Sequence, residues 1–289
     1  MTILDGRTLA QKILTDLKPE VGKRKLSLAV IVVGGDAVIQ KFIAQKKKTA
    51  EDLGVDFWVY EHDAAISTNE LRKRLSIIVH DADPDGVIIQ LPLPGHISAQ
   101  YILNSVPPQK DVDVLSARAI GDFAVGKSKI EPPVVGAVKA LFEEYNIDYR
   151  SKYHVIVGAG TLVGKPMAAW LLNEKISFSL LEERTADISE FTKKADILVS
   201  GVGKPGLITG GMVKDGVVVI DCGTSVSHQP PATSDQPEAG SQKLAAALAG
   251  DVDFYSVSKK ALFITPVPGG IGPLTVAMIF KNLAALVKM

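Results

Sequence analysis

The run His154-Val-Ile-Val-Gly-Ala-Gly-Thr-Leu-Val-Gly164 has the residue types and order needed to hold a pyrophosphate. Its first four residues predict a short buried strand, the glycines a tight turn, and Val163–Glu174 a helix. Glycines let backbone approach a phosphate closely, and the N–H groups that open a helix attract its negative charge. The spacing Gly158-x-Gly160-x-x-x-Gly164 is one residue longer than the common fingerprint, so the turn taken alone equally suits a strand–helix connection without a ligand. Glu182 and Glu183 follow the next expected strand, where an acid holds ribose hydroxyls in dinucleotide sites. A carboxylate there favours NAD and repels the extra phosphate of NADP, whereas Arg184 beside them favours that phosphate. All three also fit an exposed polar turn.

The elements around this run must position it. Short β-branched stretches alternate with longer amphipathic ones, the pattern of parallel strands joined by helices. Strands are expected at Leu28–Val33, Val55–Tyr60 and Gly86–Gln90, with helices over Ala37–Leu53 and Thr68–His80. After Tyr149 the alternation restarts, with strands at His154–Val157, Phe178–Leu181, Ile197–Ser200 and Val217–Asp221. A helix over Val134–Asn146 bridges the halves, and Pro273–Lys288 reads as a final helix with proline in its first turn, where no N–H is needed. The fold class is therefore α/β: two α/β domains, the second a Rossmann-like dinucleotide-binding domain, with a cleft between them for ligands. The boundaries expected are 1–133 with 273–289 for the first domain and 134–272 for the second. Ser225–Gln242, rich in Pro, Ser, Gln and Ala, reads as a surface loop.

Bulk properties narrow the function. The chain has 289 residues, enough for two cores, and 32 basic against 32 acidic residues. That balance argues against a nucleic-acid partner. No apolar stretch reaches the roughly 18 uncharged residues of a membrane span. The opening Met1-Thr-Ile-Leu-Asp-Gly-Arg lacks the pattern of a signal peptide, and a single cysteine, Cys222, fits a reducing cytoplasm. His62, His80, His96, His154 and His228 are scattered without ligand spacing, so no metal site is expected.

Three further segments carry more specific information. Asp85-Gly-Val-Ile-Ile-Gln-Leu-Pro-Leu-Pro94 covers an expected strand and its exit, Lys110-Asp-Val-Asp113 follows a proline pair, and Thr265-Pro-Val-Pro-Gly-Gly-Ile-Gly-Pro-Leu-Thr275 leads into the final helix. With Val163-Gly-Lys-Pro-Met167, Val202-Gly-Lys-Pro-Gly206 and Gly250-Asp-Val-Asp-Phe254, in this order over essentially the whole length, the chain resembles the bifunctional methylenetetrahydrofolate dehydrogenase/cyclohydrolase family. The resemblance implies two coupled reactions of one-carbon metabolism. A hydride leaves 5,10-methylenetetrahydrofolate for NAD or NADP, and water then opens the methenyl product to 10-formyltetrahydrofolate, a donor for purine biosynthesis. It also implies a cytoplasmic homodimer paired through its nucleotide domains.

Residue by residue, the resemblance makes Lys46, Gln90 and Asp113 catalytic, with Asp113 on the pterin ring. By their own spacing these would be a lysine in the basic run Lys46-Lys-Lys48, a strand-end amide and a turn residue. It implies folate contacts at Phe42, Leu91, Pro268, Gly269 and Gly270, with the Thr265–Gly272 loop closing one side of the cleft. Nucleotide contacts are implied at Gly158, Ala159, Gly160, Thr161, Glu182, Glu183, Arg184, Val202, Gly203 and Thr224. A lysine kept partly from water has a lowered pKa and can exchange protons with a folate nitrogen or an attacking water.

The chain also departs from the family pattern. Phe42 stands for a tyrosine and Ile39 for a serine, which makes the surroundings of Lys46 more apolar. Val114 stands for a glycine, and Glu131-Pro-Pro-Val134 for Pro-Cys-Thr-Pro. Ala159-Gly160 replaces Arg-Ser, and Glu182-Glu183 replaces His-Ser, which favours NAD over NADP. The lost hydroxyl bears on hydrolysis, which needs an activated water, more than on hydride transfer, which needs positioning. Two other readings are a degenerate homologue that binds folate or nucleotide without turnover, and a two-domain dehydrogenase of an amino acid or carbocyclic acid.

Overall fold

The computed structural model describes residues 1–35, 37–227 and 247–288. In chain order its elements are β1 (Thr2–Ile3), α1 (Gly6–Val21), β2 (Ser27–Val33), α2 (Ala37–Leu53), β3 (Asp56–His62), α3 (Thr68–Ile77), β4 (Gly86–Ile89), α4 (Ala99–Leu103), α5 (Ala117–Ala124) and α6 (Pro133–Glu144). There follow β5 (His154–Val157), α7 (Gly164–Asn173), β6 (Phe178–Leu181), α8 (Ser189–Thr192), β7 (Ile197–Ser200), β8 (Val218–Asp221), β9 (Ser225–Ser227), β10 (Ala247–Ala249), α9 (Phe254–Ser258), β11 (Phe263–Ile264) and α10 (Ile271–Val287).

The central Val/Ile/Leu-rich strands are apolar on both faces because they are covered on both faces, the usual condition of a parallel sheet. Strands β4, β5, β7 and β8 are buried at every position. They fall into two sheets whose pairings are all parallel, one of order β3-β2-β4 and one of order β1-β11-β8-β7-β5-β6. The chain forms two compact units. One holds residues 10–136 with 275–289, and the other residues 1–9 with 137–274.

The first nine residues were expected in the folate-binding part. Instead β1 pairs with β11, Thr2 opposite Phe263 and Ile3 opposite Ile264, so they lie with the second half of the chain. Helix α1 was not among the expected elements. Its start is signalled by Asp5, an N-cap whose Oδ1 accepts the N–H groups of Arg7 and Thr8 at 3.0 and 3.1 Å; the Thr8 hydroxyl on Oδ2, with these N–H groups, holds the Asp5 carboxyl below its ordinary pKa. The chain crosses between units inside α1, α6 and α10 rather than in flexible linkers. Residues 225–227, expected in a loop, pair antiparallel with 247–249, and the rest of that loop lies outside the described residues. Among the described residues no helix is long and apolar enough to cross a membrane.

In the first unit α10 is tied down by a buried amide. Asn282 Nδ2 donates to Val112 O at 2.9 Å and to Glu131 O at 2.7 Å, joining the last helix to two loops. Removing it takes the donor from two inward-facing carbonyls, at a cost of about 1–3 kcal/mol. Asn282→Ala is therefore expected to lower unfolding stability by about 2 kcal/mol, seen as an earlier urea midpoint with an unchanged slope.

Candidate active site

In open parallel sheets ligands collect at the carboxyl ends of strands, where successive crossovers leave to opposite sides. Each unit has one such point. In the first, β2 is central, with β3 on one side and β4 on the other. In the second, β5 lies between β6 and β7. The motif residues gather at these two points.

At the first point, Gln90 directly follows β4 and its N–H bonds Ile31 O of β2 at 2.9 Å. Its side chain is 8% exposed and fully oriented. Nε2 donates to Leu91 O at 2.8 Å, and Oε1 accepts from Lys46 Nζ at 2.7 Å. The expected strand-end amide satisfied by backbone is thus half of the picture; its other half is the lysine of α2. Lys46 is half-buried and differs in this from its exposed neighbours Lys47 and Lys48. Burial pulls its pKa down, and the carboxylate of Asp113 pulls it partly back. Burial, opposed by Lys46 and reinforced by Asp111, raises Asp113 to about 6. Lys46, Gln90 and Asp113, far apart in sequence, are brought together. Phe42, one turn before Lys46 on α2, and Leu91 are both half-buried in the same unit.

The turn that presents Asp113 is built by another aspartate. Asp111 is 3% exposed, and its carboxylate accepts from Leu115 N at 3.2 and 3.0 Å and from Ser116 N at 2.7 Å. Ser116 Oγ in turn caps α5 through Ala119 N. Val114, at the family's glycine position, has φ 57°, a left-handed conformation that a β-branched residue rarely adopts.

At the second point the glycines divide by role. Gly158 has φ +100°, and a Cβ there would meet Gly201 O at 2.8 Å. A Cβ on Gly164 would lie 1.8 Å from Gly158 O, so this glycine lets α7 close on β5. Gly160 faces open space with nothing within 4 Å, the bare backbone a phosphate needs at the start of a helix. Ala159 and Thr161 are half-buried beside it, and Glu182, Glu183 and Arg184 are exposed just past β6. Lys204 Nζ lies 3.7 Å from Glu183 Oε1, both well exposed, which adds a second cation beside these acids.

Val202 and Gly203 sit beyond β7, but their N–H groups are already used. Asp251, fully buried, accepts from Ser200 Oγ at 2.8 Å and from the N–H groups of Val202, Gly203 and Lys204 at 2.7, 2.8 and 2.9 Å. Towards a nucleotide this loop offers its carbonyls and packing surface. Asp221 receives Gly223 N, Asp251 N and Val252 N, and burial holds it up at about 6. Thr224 is exposed at the end of that turn. Neither aspartate was singled out from sequence, although the carboxylate of Asp251, set between a glycine and a valine in Gly250-Asp-Val-Asp-Phe254, is the available signal. In the loop after β11, Pro268 is exposed, Gly269 has φ 115°, and Gly270 N bonds Pro266 O at 2.8 Å. This loop belongs to the second unit and Lys46 to the first. No group of three or more possible metal ligands occurs among the described residues.

A glycine turn left open at Gly160, between strand and helix at a switch point, fits a nicotinamide dinucleotide, so fold and site define an α/β enzyme with an NAD(P)-binding unit. The sequence matches the family described as "Tetrahydrofolate dehydrogenase/cyclohydrolase", its catalytic domain over residues 4–113 and its NAD(P)-binding domain over 132–289. It is 41% identical over 293 residues to the bifunctional protein FolD of Nautilia profundicola, covering 100% of this chain and 98% of that one. The crystal structure of the bifunctional FolD methylenetetrahydrofolate dehydrogenase/cyclohydrolase of Campylobacter jejuni superposes with a TM-score of 0.89 at 36% identity, over 100% and 99% of the two chains. The Trypanosoma brucei FolD, crystallised with NADP and an inhibitor, gives 0.90 at 31%, over 100% and 97%. The chain belongs to the tetrahydrofolate dehydrogenase/cyclohydrolase family.

The glycine geometry separates fold from ligand. Gly164→Ala forces β5 and α7 apart and is expected to cost about 1–3 kcal/mol of stability. Gly160→Ala should change stability by less than about 0.5 kcal/mol yet weaken NAD(H) binding, because its Cβ enters only the phosphate's space. Urea unfolding paired with fluorescence titration of NADH measures both.

Proposed function

We propose that this chain oxidises 5,10-methylenetetrahydrofolate to the methenyl form with a nicotinamide dinucleotide, and hydrolyses that product to 10-formyltetrahydrofolate. The observation that carries the reading is the Lys46–Gln90 hydrogen bond of 2.7 Å beside the raised carboxyl of Asp113. Bound NAD(P) supplies a hydride acceptor. Asp113 holds the pterin through its acceptor oxygens, and Phe42 and Leu91 pack on it. Gln90 fixes the ammonium of Lys46 without adding charge. With its pKa lowered, Lys46 gives and takes a proton at the folate nitrogen and at the attacking water.

The sign of the pH dependence follows from Asp113. It is ionised above about pH 6 and protonated below, so folate recognition through the carboxylate is lost as pH falls. The kcat/KM for methylenetetrahydrofolate is expected to drop below about pH 6, and Asp113→Asn should lower the plateau and remove that limb. A limb unchanged in Asp113→Asn would contradict the assignment.

Two finer readings accompany the main one. Phe42 leaves Lys46 without the family's tyrosine hydroxyl, so hydrolysis should lag hydride transfer. Restoring it with Phe42→Tyr is expected to raise the cyclohydrolase rate several-fold, by about 1 kcal/mol of barrier, with little change in dehydrogenase rate. Spectrophotometry that follows methenyl product and reduced cofactor together reads both. Ala159, Glu182 and Glu183 support NAD over NADP, since a ribose phosphate would meet two carboxylates and lack the family's arginine. Replacing both glutamates by serine should move preference towards NADP by about tenfold or more, with Arg184 and Lys204 left as its cations.

A further inference from the structure

We propose that Asp111 is a positioning residue for the folate: it holds Asp113 in place by pinning a strained turn, and this rests on the reading that Asp113 grips the pterin. The turn is fixed at its start, where Val87 N bonds Lys110 O at 2.7 Å and Asp111 bridges Val87 of β4. Asn282 Nδ2 then holds the carbonyl of Val112. Past Asp113 the backbone reverses through Val114 at φ 57°. Left to itself a valine would leave that region, since its Cβ crowds the backbone there. The peptide between Asp113 and Val114 would turn with it, and the Asp113 side chain would swing.

The two residues directly after Val114 prevent this. Leu115 and Ser116 both point their N–H groups at the Asp111 carboxylate, at distances down to 2.7 Å. A buried carboxylate held by backbone donors makes strong charge-assisted bonds. The clamp therefore closes across Val112, Asp113 and Val114, from Asp111 to Leu115 and Ser116. Val114 is itself 2% exposed, so its side chain anchors the turn in the core while its backbone bears the strain. Asp111 reaches the substrate only through its neighbour.

The test compares Asp111→Asn, Val114→Gly, their combination and Asp113→Asn, with KM for methylenetetrahydrofolate and for the nucleotide measured separately. Both N–H groups reach Oδ2, and Leu115 N also reaches Oδ1, so an asparagine keeps one acceptor but loses the charge and sets its NH2 beside Leu115 N. Asp111→Asn should therefore raise the folate KM about tenfold and leave the nucleotide KM unchanged. Glycine accepts φ 57° without strain, so the combined variant should return to within about threefold of the Val114→Gly parent. If Asp111→Asn does not fold alone, the combination carries the test, because it removes both strain and clamp. A combined variant still tenfold above that parent, or a nucleotide KM that rises equally, overturns the proposal. If Asp113→Asn leaves the folate KM unchanged, the underlying reading has failed instead; if it impairs folate and Asp111→Asn does not, only the clamp has failed.

Discussion

A carboxylate sealed from water must find donors, and in a parallel α/β unit the nearest donors are the N–H groups of loops that leave the strand ends. Both units use this constraint. Asp251 gathers three consecutive N–H groups beyond β7, and Asp111 gathers two beyond the Val87 bridge. In each case the loop so held lies where open sheets bind ligands. The loops at these strand ends are thus given their shape by buried carboxylates that hold their N–H groups. Burial holds the neighbouring Asp113 and Asp221 up at about 6, and the carboxylates of Asp111 and Asp251 add to it.

The same arrangement separates positioning from reactivity on the folate side. Gln90 has its amide nitrogen committed to Leu91 O and only its oxygen turned to Lys46. Lys46 therefore keeps a defined direction while burial makes its proton easier to release. Phe42, one turn earlier, adds surface and no hydroxyl. On the proposed reading, a helix face of this kind serves orientation of a folate more than activation of water.

Much of this was legible in the residues. The longer strands of both sheets were legible because each is a short apolar, mostly β-branched run, a local property, and β4, β5, β7 and β8 are buried at every position. Lys46, Gln90 and Asp113 were found only through the order of motifs, since lysine in a triple-lysine run carries no local sign of burial. The pairing of β1 with β11 was not legible because a two-residue strand has too little pattern to reveal its partner. Asp5, the cap of α1, was the readable signal that went unused.

The sequence by itself determined an α/β chain of two units, a glycine turn between strand and helix, and a set of motifs belonging to one family. These follow from periodicity and spacing, which act over a few residues. The tertiary structure alone decided that β1 joins the second sheet, and that Gly164 serves packing while Gly160 stays open. It also spent the N–H groups of Val202 and Gly203 on Asp251, and bent the chain at Val114 against its own preference. Each of these depends on a partner distant in sequence or on a backbone angle that burial enforces, and neither is written in local residue types.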